Sequence, residues 1–390
     1  EDSVAQSADL ARLMGLDFVV FSDHGDLSQT QDPEFVSTPD LELIEAMEWT
    51  DLAHAGLIGV QTVPPKLNVA PSSMWPSMIT DMIGKAHSEG GIVILYHPAW
   101  NDHMWLFPAD DADAVEVWNN FWTLSDTGFH PTERQDIDDR MATTGMAAAG
   151  LNASVESLAM VGPTGGGNDV ALRYWESHLN QGRRMAAVGG SDRHKLLPPG
   201  YPTTWILGPG KTQAEVLEAV RAGRTLITQG PEGPFVDLEA DADGDAVFEA
   251  TVGDQVSPGA VSMRARIRGA ERGKLRLVQN GQPVIETSIA SQDFTFTHSL
   301  SVQAGDWFRV DVFHAVDWNL PLVSQALGAL PGAASSGSVQ PILGMWGVSL
   351  AIGTNYPVVA LDEKYRRIAN FDMSDNRWSR AAISSPIYVR

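Results

Sequence analysis

The chain has 390 residues, 43% of them apolar and 19% charged, which is enough for two or three packed cores and too apolar for a disordered polypeptide. Its 49 Asp and Glu against 26 Lys and Arg give a formal charge of −23, which argues against nucleic acid and anionic membrane surfaces as partners. With no cysteine, disulfides and thiolate ligands are excluded, so a metal ion has to be held by His, Asp, Glu and water.

In chain order, "SVAQSADLARLMG" (3–15) spaces Val4, Ala8, Ala11 and Met14 at helical intervals and stops at Gly15. "DFVVFS" (17–22) follows as a short apolar strand. A helix over "WPSMITDMIGKAHSEG" leads into the strand "GIVILY" (91–96), and "AVEVWN" (114–119) reads as the next strand. "GPTGGGND" (162–169) lacks the lysine and Ser/Thr of a phosphate-binding loop and reads as a loop over the site or a plain connection. "NDVALRYWESHLNQG" is helical and feeds "MAAVGG" (185–190). "TQAEVLEAVRAG", with an apolar stripe through Ala214, Leu217 and Val220, feeds "RTLITQG". Helices alternating with apolar strands predict parallel βαβ units in an open sheet or a barrel.

After about residue 232 the texture changes to short alternating strands such as "FVDLEAD", "VSMRARIRG" and "WFRVDVFHA", separated by Gly, Asp, Asn and Pro turns. The expected organisation is therefore an α/β domain over 1–231 and an all-β, sandwich-like domain over 232–390, with a Gly/Ser-rich insertion near 328–338. No run of about 18 apolar residues is present, so no membrane span is expected.

Three strands end in histidine or aspartate, and in parallel α/β folds chemistry collects at strand carboxyl ends. His24 closes the first strand, His97 closes "GIVILY", and Asp192 and His194 follow "MAAVGG". Being two apart, Asp192 and His194 can share one side of an extended backbone. Glu48, in "AMEWT", and His54, before "AGLIGV", complete the set. Asp23 adjoins His24, so it faces the other way in a regular strand and supports rather than leads. Oxygen donors mixed with imidazoles, without sulfur, suit zinc, manganese or iron in a hydrolytic site. Ions sharing a water bring its pKa toward neutrality, and a metal-bound hydroxide follows. One histidine at a strand end is more often structural than a ligand; recurrence at three strand ends is the signal.

Trp100, Trp105, Trp118 and Trp122 crowd the same region, and Trp100, His103 and Trp105 are the candidate substrate-pocket residues, with plain core packing as the alternative. His87 and His130 read as surface residues, and His178, His298 and His314 as structural ones.

The ordered set "GLDFVVFSDHGD", "EAMEWT" with "AHAGLIGV", "GGIVILYHPAW", "AVEVWNNFW" and "GRRMAAVGGSDRH" resembles the PHP (polymerase and histidinol phosphatase) superfamily. "YPTTWILG" and "EVLEAVRAGRTLITQGPEGPFVDLEA" bring the likeness closer to its carbaryl-hydrolase-type branch, over roughly residues 1–320. The resemblance implies a distorted (β/α)₇ barrel with two or three divalent ions at its mouth, Glu48 bridging two of them. His54 and His97 would complete one ion, Asp192 would bind the other bridged ion, and His24 and His194 would share a further position. Arg193 would stabilise an anionic oxygen, a surface salt bridge being its alternative, which makes Asp192 and Arg193 the candidate catalytic pair. The family opens with an H-x-H strand that this chain, starting at Glu1, does not contain, so an upstream segment is expected and an intact mass near 42.1 kDa would count against it.

The function expected is metal-dependent hydrolysis of a carbamate, ester or amide in a small substrate, aromatic ones included. The alternatives are a phosphoesterase and a degenerate, non-catalytic barrel with a binding role. Oligomeric state and compartment, periplasmic or cytoplasmic, are left open.

Overall fold

Ser3 accepts the backbone N–H of Gln6 on its hydroxyl while the Gln6 side chain returns to the Ser3 N–H, and this reciprocal cap starts helix α1 (Val4–Leu13). α1 buries Val4, Ala8 and Ala11 together with Leu41 and Leu43. Its end falls where Gly15 takes a φ of +72, a conformation costly to any residue with a Cβ.

The computed structural model describes residues 3–98, 105, 107, 109–119, 167–193, 199–315, 371–372 and 375–390. These fall into two compact units. One holds the described residues up to Val117, those from Gly167 to Val188, and Ile206–Ala222. The other holds Trp118 and Asn119, the described part of Gly189–Trp205, and those from Gly223 onward. No helix among the described residues is long and apolar enough to cross a membrane.

The first unit is built on a six-stranded sheet in the order β1 (Phe18–His24), β2 (Glu42–Thr50), β3 (His54–Ile58), β4 (Ile92–Leu95), β5 (Ala114–Asn119), β6 (Ala186–Gly190). β1 runs parallel to β2, and β4 to β5, but β3 is antiparallel to both of its neighbours. Helix α2 (Trp75–Ser88) precedes β4, and α3 (Gly167–Asn180) precedes β6. The strands alternate cleanly. Ile44, Ala46, Ile58, Ile92 and Ile94 form one face, covered by Val216, Leu217 and Val220 of helix α4 (Gln213–Arg221), while Val19, Phe21, Leu41 and Leu43 pack with α1.

This corrects the expected PHP-type distorted (β/α)₇ barrel followed by an all-β domain. The described residues hold four α-helices and a mixed sheet in place of a wall of parallel strands. The physical reason lies in the connections. Only Asp51–Ala53 separate β2 from β3, far fewer than a parallel crossover needs, so the pair closes as a hairpin.

A second reason is that β7 (Thr203–Ile206) and β8 (Thr225–Thr228), on either side of α4 (Gln213–Arg221), belong to a nine-stranded sheet instead of a barrel wall. β8 is antiparallel to β18 (Asp375–Ser384), with Ile227 opposite Ile383, a pairing across more than 150 residues that no local pattern announces. The apolar stripe of α4 also differs from the expected one: Val216, Leu217, Ala219 and Val220 are buried, whereas Ala214 is exposed on the first turn.

The second unit carries β9 (Phe235–Asp241), β10 (Ala250–Thr251), β12 (Gly259–Arg268) and β15 (Asp293–Val302) in a four-stranded sheet ordered β10-β9-β12-β15. Its larger sheet follows β11 (Gln255–Val256), β19 (Ile387–Val389), β16 (Trp307–Ala315), β18, β8, β7, with β13 (Lys274–Gln279), β14 (Gln282–Ser288) and β17 (Phe371–Asp372) paired alongside. On β12 the buried Val261, Met263, Ala265 and Ile267 alternate with Arg264 and Arg266, which pair with Glu239 and Asp237 of β9.

Candidate metal centre

Glu48 stands in register with His24 on one side and Gly56 on the other, so all three lie in a row across β1, β2 and β3. His54, two residues before Gly56 on β3, shares their face, the one that carries the α4-covered core. His97 comes two residues after the last residue of β4. Because β3 is antiparallel, its first residue meets the last residues of β1 and the end of β4 at one edge of the sheet.

The carboxylate of Glu48 is the hub. Its Oε1 lies 2.6 Å from His54 Nδ1 and 3.5 Å from His97 Nε2, while Oε2 lies 3.9 Å from His24 Nδ1. The rings of His54 and His97 meet edge-on at 4.9 Å, and those of His24 and His54 at 6.0 Å. Glu48, His54 and His97 are all buried, and their ligand atoms lie within 4.8 Å of one another. His24 sits at the rim, its side chain 43% exposed.

Electrostatics shape the protonation of this group. Burial alone would push the Glu48 carboxyl up, but hydrogen bonding and charge from His54 and His97 outweigh it and hold the group well below the usual carboxylate range. Burial is the main influence lowering His54, aided by the neighbouring His97 and His24 and opposed by Glu48. Burial disfavours a proton on His54, and a divalent ion requires an ionised carboxylate and unprotonated imidazole nitrogens. One hard oxygen donor with several imidazole nitrogens fits zinc, manganese or iron.

Two supporting residues have no counterpart among the sequence candidates. Glu116, buried on β5, accepts the backbone N–H of His97 at 2.8 Å and so holds that residue at φ 27. The signal was available: an acid in the middle of the apolar "AVEVWN". Thr50 closes β2 beside His24, and nothing in "EWT" singles it out. Tyr96 adds shape: its ring lies over Gly56, where an added Cβ would come within 2.2 Å of the ring carbon Cζ.

Asp23 precedes His24 on β1 and alternates to the opposite face. Asp192 and Arg193 follow β6 and belong to the second unit, where Asp192 has a φ of 46 and accepts from the Asn119 amide at 3.2 Å. Trp105 is fully buried, edge-on to Phe107 at 5.8 Å, and Trp118 is buried too. His194, Trp100, His103, Trp122 and His130 lie outside the described residues, as does the insertion near 328–338. His178 is buried and its Nδ1 meets Arg183 Nη1 at 2.6 Å, a structural role. His87 pairs with Asp113 at 2.9 Å. Set against protein-family models, curated proteins and solved structures, the chain finds no match in any of the three.

Proposed function

We propose that Glu48, His54 and His97 hold a divalent metal ion, that His24 serves a second ion on the other oxygen of Glu48, and that the chain is a metal-dependent hydrolase of a carbamate, ester or amide bond in a small molecule. The observation that carries this reading is the division of Glu48: one buried carboxylate turns Oε1 to two histidines and Oε2 to a third. Gathering three imidazoles and a carboxylate at a partly buried point costs desolvation that hydrogen bonding to neutral rings does not fully return, and a bound cation would return it. The ordered motifs that resemble PHP metallohydrolases support the same reading; the barrel of that family does not enter into it.

When bound, a divalent ion supplies Lewis-acid polarisation of a carbonyl and lowers the pKa of water. The chain's own contribution is geometric. Glu48 stays ionised because His54 and His97 hold it so, Glu116 orients His97 through its backbone, and the α4-covered core closes the face beneath the cluster.

Metal content per chain, by plasma mass spectrometry on protein purified without added metal or chelator, tests the reading. About two equivalents of zinc, manganese or iron are expected, with loss of most of it in Glu48→Gln. Aryl carbamates, aryl esters and nitrophenyl phosphates assayed in parallel separate acyl from phosphoryl chemistry. Protein that binds no divalent ion at any concentration tried ends the proposal.

A further inference from the structure

β15 ends the four-stranded sheet: among the described residues it is bonded to β12 alone, from Asp293 to Val302 without a shift in register. Every second residue therefore turns a backbone N–H and C=O away from the sheet, and such an edge is a template for another strand. β14 ends its own run of strands on the same side, because the two corners that join the sheets are bonded to each other. The Arg272 N–H reaches the Ile289 carbonyl, the Ile289 N–H that of Gly273, and the Gly269 N–H that of Gln292. The two edges are built differently. β14 is blunted: Pro283 has no N–H, Glu286 is charged and pairs with Lys274 and Arg276, and the register with β13 slips after Leu277. β15 has no proline and no bulge, and Asp293, at its start, is its one Asp, Glu, Lys or Arg. Thr295, Thr297 and Ser299 stand exposed on its outer face. Phe294, Phe296 and His298 are half-buried on the other, where the rings of Phe296 and His298 stack at 6.1 Å.

We infer that β15 is a self-association edge, on which a second copy of this chain lays its own β15 antiparallel, across a two-fold axis at Thr297, so that the two four-stranded sheets become one. A two-fold axis perpendicular to the sheet keeps both inner faces on one side only if residues of like parity meet, which puts the axis on a residue. With Thr297 there, Phe296 meets the partner's His298 and Phe294 meets the partner's Leu300 on the inner face. On the outer face Thr297 meets the partner's Thr297, and Thr295 the partner's Ser299. These are the aromatic, apolar and hydroxyl pairs that stabilise neighbouring strands. His298 on the axis would instead oppose two imidazoles. The strand is thus complementary to itself, which is why the occupant is a second copy. Asp293 falls opposite the partner's Ser301, so the pairing opposes no two carboxylates although each chain carries a charge of −23.

Sedimentation velocity on the full chain, from about 1 to about 100 μM and in about 0.3 M salt to screen the net charge, reads the assembly. The wild type is expected to pass from monomer to dimer as concentration rises. Thr297→Lys and Thr297→Asp change an exposed side chain, and circular dichroism checks that each variant is folded. Each sets like charges opposite one another at the axis and should weaken the dimer about tenfold or more, and the two variants mixed one to one should restore it. A wild type that stays monomeric at every concentration overturns the inference and leaves the edge to an extended segment of a different protein. A dimer that neither change weakens uses another surface and overturns it as well. So does a mixture of the two folded variants that stays monomeric.

Discussion

His97 holds a backbone conformation that costs a non-glycine residue about 1–2 kcal/mol, and it is kept there by the carboxylate of Glu116 on its N–H. Replacing Glu116 by Ala leaves that buried N–H without its acceptor, at a cost of about 1–3 kcal/mol. Glu116→Gln keeps an acceptor and should lose less; urea denaturation of the two variants side by side measures the difference. His178 makes a second prediction. Burial first, and the charge of Arg183 next, lower its pKa from 6.5 to about 4. Below about pH 6.5 the unfolded chain takes up a proton there that the native protein refuses until about pH 4, so protonation favours unfolding in that window. Stability should fall as pH drops from 6.5 to 4, by about 3 kcal/mol from this group. Unfolding midpoints across that range should flatten in His178→Gln; identical slopes in the two proteins would refute the assignment.

At the scale of the element, α4 starts on a reciprocal cap between Thr212 and Glu215 and lays Val216, Leu217 and Val220 on the sheet. The helix itself was legible in "TQAEVLEAVRAG", because 3.6-residue spacing is local. The exact stripe was not: Ala214 faces solvent because the helix axis is set by the sheet it meets. Leu217→Ala should cost about 2–5 kcal/mol by opening a cavity in that core, whereas Thr212→Ala should cost about 1 kcal/mol. Gly56→Ala is a different kind of change. Its Cβ would collide with the Tyr96 ring, whose far end can swing away. We expect Tyr96 to be displaced at a cost of about 1–3 kcal/mol, read as a fall in melting temperature with a change in tyrosine fluorescence.

For the whole molecule, the charge of −23 sets a self-repulsion that every fold of this chain has to bear. Raising salt from about 0.05 to about 0.5 M shortens the screening length severalfold and should raise the melting temperature. A flat or falling response would mean that local ion pairs such as those of Arg264 and Arg266 on the β-rich unit outweigh the long-range field.

What the sequence determined on its own was local chemistry: where helical spacing runs, which strands are apolar, and that His24, Glu48, His54 and His97 stand beside such strands as donors without sulfur. A period of two marks a buried strand without saying which way its neighbour runs or which strand that is. His54 shows the consequence. Placed before "AGLIGV", it would sit at the far end of a parallel strand; only the three-residue turn after Thr50 reverses β3 and brings His54 to Glu48. Likewise "RTLITQG", which holds β8, reads as one more strand of a βαβ series until β18, more than 150 residues on, claims it for another sheet. Strand direction and partnership are settled by contacts between distant segments, and those belong to the tertiary structure alone.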